Sequence, residues 1–176
     1  EGLHGMIRAI RGCPVPVIAA VEGGAAGAGA SLALACDLIV AAAGAKFTAS
    51  YVRAGLVPDG GLTSALSRLV PRALAMEMCL LARPVTAERM AQLGAITAAV
   101  PPGTALDEAQ ALADALAAGP RTAQGVTRRL VASAYETAET DQLDRERDAM
   151  AAAQGGDEAA EGIAAFLEKR KPDFSF

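Results

Sequence analysis

The sequence predicts an α/β core, residues 1–104, followed by a helical region, residues 105–176. Three observations predict it. Short apolar runs alternate with helical patterns through the first part. Helical periodicity alone continues through the second. Glycine and proline clusters fall between the periodic segments, where turns belong. The chain has 176 residues, long enough for a sizeable core. Hydrophobic residues make up 52% but aromatics only 3%, so an alanine-rich core must rest on close approach of backbones rather than on large rings.

The elements follow in order. A first helix over about 2–11 presents Leu3, Met6, Ile7 and Ile10 on one face and stops before Cys13-Pro14. Val17 to Val21 is a short apolar run bounded by Pro16 and glycines, which predicts a buried strand. Gly23 to Gly27 reads as a turn and Ala28 to Cys36 as a helix. Asp37 to Ala42 and Lys46 to Thr48 read as strands, and Gly55 to Gly61 (GLVPDGG) as a loop. Helices are predicted over 62–69 and 72–81. Thr86 caps a third, which Gly94 closes. Ile96 to Val100 is a short strand, ended by Pro101-Pro102-Gly103. Helices over about 105–118, 121–136, 139–153 and 157–169 complete the chain, with a hinge at Gly155-Gly156. Asp141 to Arg147 is charge-dense and predicted to be solvated. No internal repeat is visible. The C-terminal helices offer few residues each for burial, which suits packing on another subunit.

Several function classes are disfavoured. The net charge of −4 lacks the basic excess of a general nucleic-acid binder. The apolar stretch Val15 to Ala35 is interrupted by Pro16, Glu22 and glycines, which fits a strand–turn–helix and not a membrane span. Cys13, Cys36 and Cys79 have neither disulfide-framework nor metal-ligand spacing, so no metal site is expected. A reducing, cytoplasmic setting follows from that cysteine usage. The chain opens in a helical pattern without an initiator methionine, which reads as a start in mid-fold.

Four features are candidates for chemistry. The run PVIAAVEGGAAGAGASLALACD (Pro16–Asp37) leads a strand through a glycine–alanine turn into a helix. Such a turn is either plain close packing or a place where free N–H groups meet an anion, with the Ala28 N–H as donor. Gly27 and Gly29 are small enough to let a substrate reach that backbone. Pro58-Asp59-Gly60 is either a simple turn or a shaped loop that presents Asp59, beside Leu56 and Val57, for general acid–base work. Ser31, early in a helix, occupies a place some hydrolase nucleophiles use, but nothing ties the single histidine, His4, to it. The segment Phe166 to Lys171 is either a solvated basic helix end or a docking point for a phosphorylated ligand.

Taken together, PVIAAVEGGAAGAGASLALACDLIVAAAGAKF, then GLVPDGG, then RALAMEMCLLARPVTAERMAQLGAI and the ending IAAFLEKRKPDF resemble the crotonase family of enoyl-CoA hydratases and isomerases. The resemblance covers nearly the whole chain. It implies a spiral of ββα units, incomplete at the N-terminus, with C-terminal helices that build a homotrimer or a dimer of trimers. It implies acyl-CoA thioester substrates, with coenzyme A as part of the substrate and no separate cofactor. Ala28 matches one of the two backbone donors of the family's oxyanion hole; the other normally precedes the position of Glu1. Ser31 and Tyr51 stand where hydratases of the family carry their two glutamates. Asp59 matches the single acidic residue of family isomerases. Gly27, Gly29, Ser31, Tyr51 and Leu56 are the implied substrate-binding positions, and Phe166 and Lys169 match residues that contact CoA. The resemblance thus implies double-bond isomerisation, 3-enoyl-CoA to 2-enoyl-CoA. Hydration, another crotonase-type reaction, or non-catalytic acyl-CoA binding are the alternatives.

Overall fold

The computed structural model describes residues 2–176. They form two units: one runs to Cys13 and from Val17 to Leu112, and the other comprises Pro14–Pro16 and Ala113–Phe176.

The first unit starts with α1 (Gly2–Gly12), which buries Ile7, half-buries Leu3 and Ile10, and leaves Met6 at its border exposed. Then come β1 (Ile18–Val21), β2 (Gly24–Ala26) and α2 (Ala28–Ala33). β3 (Leu38–Ala42) and β4 (Lys46–Thr48) follow, then a 3-10 turn at Ser50–Ala54 and α3 (Leu62–Leu69). α4 (Arg72–Leu81), β5 (Val85–Thr86), α5 (Ala87–Gln92), β6 (Ala98–Val100) and α6 (Ala105–Ala117) complete this series, the residues of α6 from Ala113 on belonging to the second unit.

One sheet has the order β1-β3-β6 and is parallel throughout, with Ile18 opposite Leu38 and Val40 opposite Ala98. The other has the order β2-β4-β5; β2 and β4 are parallel, with Gly24 opposite Lys46, and β5 is antiparallel. Successive ββ pairs therefore put their first strands in one sheet and their second strands in the other. β1-β2-α2 and β3-β4-α3 are two turns of the same ββα winding, a structural repeat that the sequence pattern does not show.

Gly24–Ala26 is a strand where a turn is predicted, because three small residues carry no alternating pattern and only pairing with β4 defines them. A Cβ on Gly24 would lie 2.9 Å from the Lys46 carbonyl oxygen, so the pairing needs glycine. α2 ends at Ala33, earlier than predicted, as the chain tightens through the Ala35 and Cys36 N–H groups. β1 buries only Val21 and exposes Ala20; it is the outer strand of its sheet, not a fully buried one. Asp37 fixes the start of this winding, its carboxylate accepting the Val17 N–H at 2.8 Å.

The core joins large side chains from the helices and β4 (Phe47, Leu62, Leu66, Met78 and Met90) to alanines such as Ala25, Ala33, Ala41 and Ala42. Phe47 is its one ring with no exposed surface. A smaller cluster of Val40, Ala105 and Ala109 seats the first turns of α6. The N-terminus of that helix is capped by Glu22, whose carboxylate accepts the Gly103 and Ala105 N–H groups at 2.9 and 2.7 Å.

The second unit contains α7 (Arg121–Ser133), α8 (Glu139–Gln154) and α9 (Asp157–Glu168), close to their predicted bounds. Glu158 accepts the Thr122 and Ala123 N–H groups and so caps α7. Burial opposes ionisation of Glu158, but these bonds outweigh it and leave its pKa lowered. α8 buries none of its residues, and its charges pair locally, Arg147 with Asp144 and Asp148.

Candidate active site

α2 opens the first candidate feature. The Gly27 N–H donates to the Thr48 carbonyl at 3.0 Å, and the Gly27 carbonyl accepts the Ser31 N–H at 3.1 Å. The Ala28 N–H, first in the helix, has no acceptor within it. Ala28 and Gly29 are exposed. Gly27 has φ +53, and a Cβ there would press on Ser50 Oγ at 3.1 Å and approach the Tyr51 ring at 4.0 Å. This glycine thus makes the turn and leaves space for the Ser50 hydroxyl. An open cleft of about 630 Å³ borders the same turn, with Ala20, Glu22, Ala26 and Gly29 in its wall.

The Asp59 loop is tied at both ends. Gly55, at φ +70, ends the 3-10 turn, and the Leu56 N–H returns to the Tyr51 carbonyl at 3.1 Å. The Leu62 N–H donates to the Asp59 carbonyl at 3.2 Å. Gly60 has φ +59, and a Cβ on it would meet Ser31 Cβ at 2.9 Å and Leu3 Cδ2 at 3.0 Å. The loop therefore lies directly on α2 and α1, and only glycine allows it.

That contact brings Ser31, Tyr51 and Asp59 together. The Tyr51 hydroxyl donates to Asp59 Oδ1 at 2.8 Å. Ser31 Oγ lies 3.1 Å from the Tyr51 hydroxyl, 3.0 Å from the Asp59 carbonyl and 3.3 Å from the Gly27 carbonyl. Ser31 is only 2% exposed, whereas Asp59 is exposed. Burial pushes the Tyr51 hydroxyl's pKa up; donation from Ser31 works against this, and the Asp59 carboxylate adds to it. Tyr51 is therefore a neutral donor at physiological pH.

Among the described residues, the side chains of the other candidates make no hydrogen bond to Ser31, Tyr51 or Asp59. Leu56 and Val57 are 60% and 80% exposed, so they give Asp59 no apolar enclosure. His4 is exposed on α1, with Arg8, Arg11, Gly60 and Gly61 around a shallow cleft, and is not a hydrogen-bond partner of Ser31. Phe166 and Lys169 lie in the second unit; Phe166 is 81% exposed, and Lys169 closes α9 in a left-handed conformation at φ +55. The sequence reading missed the Tyr51–Asp59 bond. Tyr51 sits in a short 3-10 turn with no periodicity to announce it, and Gly55 was the one available sign of the turn's end.

Residues 1–175 match the family model for enoyl-CoA hydratase/isomerase. The chain belongs to that family. The enoyl-CoA hydratase/isomerase assignment also fixes the fold as the crotonase-type spiral of ββα units. The 1,2-epoxyphenylacetyl-CoA isomerase of Escherichia coli (strain K12) is 41% identical over 170 residues, covering 97% of this chain and 65% of that protein. The 2,3-dehydroadipyl-CoA hydratase of the same organism is 36% identical over 159 residues, covering 90% of this chain and 62% of that protein. A solved enoyl-CoA hydratase structure from Polaromonas sp. JS666 superimposes with a TM-score of 0.96 at 46% identity, over 98% of this chain and 67% of that one. The chain thus spans about two thirds of the length of these relatives, and their names divide between isomerase and hydratase.

Proposed function

We propose that the protein acts on acyl-CoA thioesters in the cytoplasm and moves the double bond of a 3-enoyl-CoA to give a 2-enoyl-CoA. The observation that carries this reading is a single carboxylate. Asp59 is held by Tyr51 beside Ser31, and neither Ser31 nor Tyr51 is an acid that could serve a two-carboxylate hydration. In the proposed reaction Asp59 removes a proton from C2 of the substrate. Charge develops on the thioester oxygen as a dienolate forms. The Ala28 N–H, one of the two backbone donors such an oxyanion hole uses, stabilises that charge. Asp59 then returns the proton to C4, so the acid–base group ends as it began. Gly27 and Gly29 admit the thioester to the backbone, Ser31, Tyr51 and Leu56 flank the acyl group, and Phe166 and Lys169 take the CoA moiety. Coenzyme A enters as part of the substrate.

The reading includes a homotrimer or a dimer of trimers. Its support is the apolar surface of the second unit, where Val131, Leu143, Met150, Leu167 and Phe166 are all more than half exposed. Light scattering at micromolar concentration is the check, and a monomer there contradicts it.

The test of the chemistry is Asp59→Asn assayed on a 3-enoyl-CoA. The expected loss is about 10²–10⁴-fold, and an unchanged rate contradicts the assignment. Hydration is the second reading, favoured by the relative named a hydratase. Rapid incorporation of labelled water oxygen into a 3-hydroxyacyl-CoA would support it over isomerisation.

A further inference from the structure

We infer that Tyr51 is a positioning residue for Asp59: its hydroxyl, beside the buried Ser31 hydroxyl, anchors one carboxylate oxygen and leaves the other to meet the substrate. This rests on the reading of Asp59 as the proton shuttle.

The hydrogens can be counted. An ionised carboxylate only accepts, so the single hydroxyl hydrogen of Tyr51 is the one that lies between Tyr51 and Asp59 Oδ1. Ser31 also has one hydroxyl hydrogen, with acceptors at the Asp59 carbonyl, the Tyr51 hydroxyl oxygen and the Gly27 carbonyl. Directed to the Tyr51 oxygen, it fixes which way the tyrosine donates. Directed to the Asp59 carbonyl, it fixes the backbone that carries the carboxylate. Both of these placements restrain Asp59, and they are the two shorter of the three, the Gly27 carbonyl lying at 3.3 Å.

The tyrosine is itself restrained. Its backbone carbonyl accepts the Leu56 N–H at 3.1 Å. Among the described residues, no hydrogen bond reaches Asp59 Oδ2. One oxygen is thus tied and one is open, which suits a base that must meet two carbons of one substrate in turn. The raised pKa of Tyr51 agrees with a role as donor and not as a second base.

The experiment is a double-mutant cycle in the full protein, with Tyr51→Phe, Asp59→Asn and the pair, each first shown to be folded by its thermal melt. Steady-state kinetics on a 3-enoyl-CoA are the readout. Tyr51→Phe should lower kcat by about 10- to 100-fold, as expected for a lost hydrogen bond to a charged group, with KM within about 3-fold. In the Asp59→Asn background the same change should cost nothing more, because Tyr51 acts only through Asp59. A structural role would instead produce similar losses in both backgrounds, and that result overturns the inference. So does a wild-type kcat in Tyr51→Phe while Asp59→Asn is inactive. Wild-type activity in Asp59→Asn removes the parent reading, and this inference with it.

Discussion

The ββα unit and the helical unit differ in what they enclose: the large side chains that are fully buried all belong to the first. In the first, Phe47, Leu62 and Leu66 are fully buried, and alanines let strands and helices approach closely around them. In the second, α8 buries nothing, and Phe166 and Leu167 on α9 are 81% and 73% exposed. The first unit encloses a core of large side chains, although Leu80, Leu81 and Leu106 stay exposed on it, and it holds Asp59 on glycine-built turns. The second leaves apolar surface available to a partner. Stability and catalytic geometry should therefore be sensitive in the first unit, and assembly in the second.

The largest effect expected is from Leu66→Ala, a core truncation that should cost about 2–5 kcal/mol in urea unfolding. Leu167→Ala, at an exposed site, should stay within about 0.5 kcal/mol and change the oligomer distribution instead. Equal losses of stability at both sites would erase the contrast.

Next comes Gly60→Ala. The left-handed backbone and the approach to Ser31 at 2.9 Å should together cost about 1–3 kcal/mol. Activity should fall as well, since the same shift moves Asp59. A stable and fully active variant would show that the loop tolerates displacement.

Thr86→Ala should cost about 1 kcal/mol or less by loss of the α5 cap, whose bond to the Arg89 N–H is long at 3.4 Å. Thermal melts of the two proteins give the comparison.

The smallest effect lies in the second unit and depends on pH. The Arg170 guanidinium, helped by the Asp173 N–H, holds Glu161 at about 2 against an ordinary value of 4.5. A carboxylate lowered in the folded state stabilises it fully above the ordinary value. That contribution disappears as pH falls through the folded value. The wild-type melting temperature should therefore drop more steeply between about pH 4.5 and 2 than that of Glu161→Gln. Parallel curves would mean that the Glu161–Arg170 pair contributes nothing.

Much of this was legible in the sequence. Most helices, and strands such as Lys46–Thr48, carry their own punctuation in Pro71, Thr86, Gly94 and Pro101-Pro102-Gly103. The family was legible in the glycine-rich run and in GLVPDGG. What was not legible depends on contacts remote in sequence. Gly24–Ala26 becomes a strand only through β4, and the two ββα windings share no hydropathy pattern. The Ser31–Tyr51–Asp59 chain joins three separate segments, and Gly60 lets the Asp59 loop lie against Ser31, a consequence of an absent side chain that spacing does not reveal.

The most direct test of the central claim, that Asp59 alone shuttles the proton, is a crystal structure of the full protein with an unreactive 3-enoyl-CoA analogue. The account predicts Asp59 Oδ1 still on the Tyr51 hydroxyl and Oδ2 about 3–3.5 Å from the acyl C2 and C4 positions. An acyl chain lying beyond reach of Asp59, or a different carboxylate against those carbons, would contradict it.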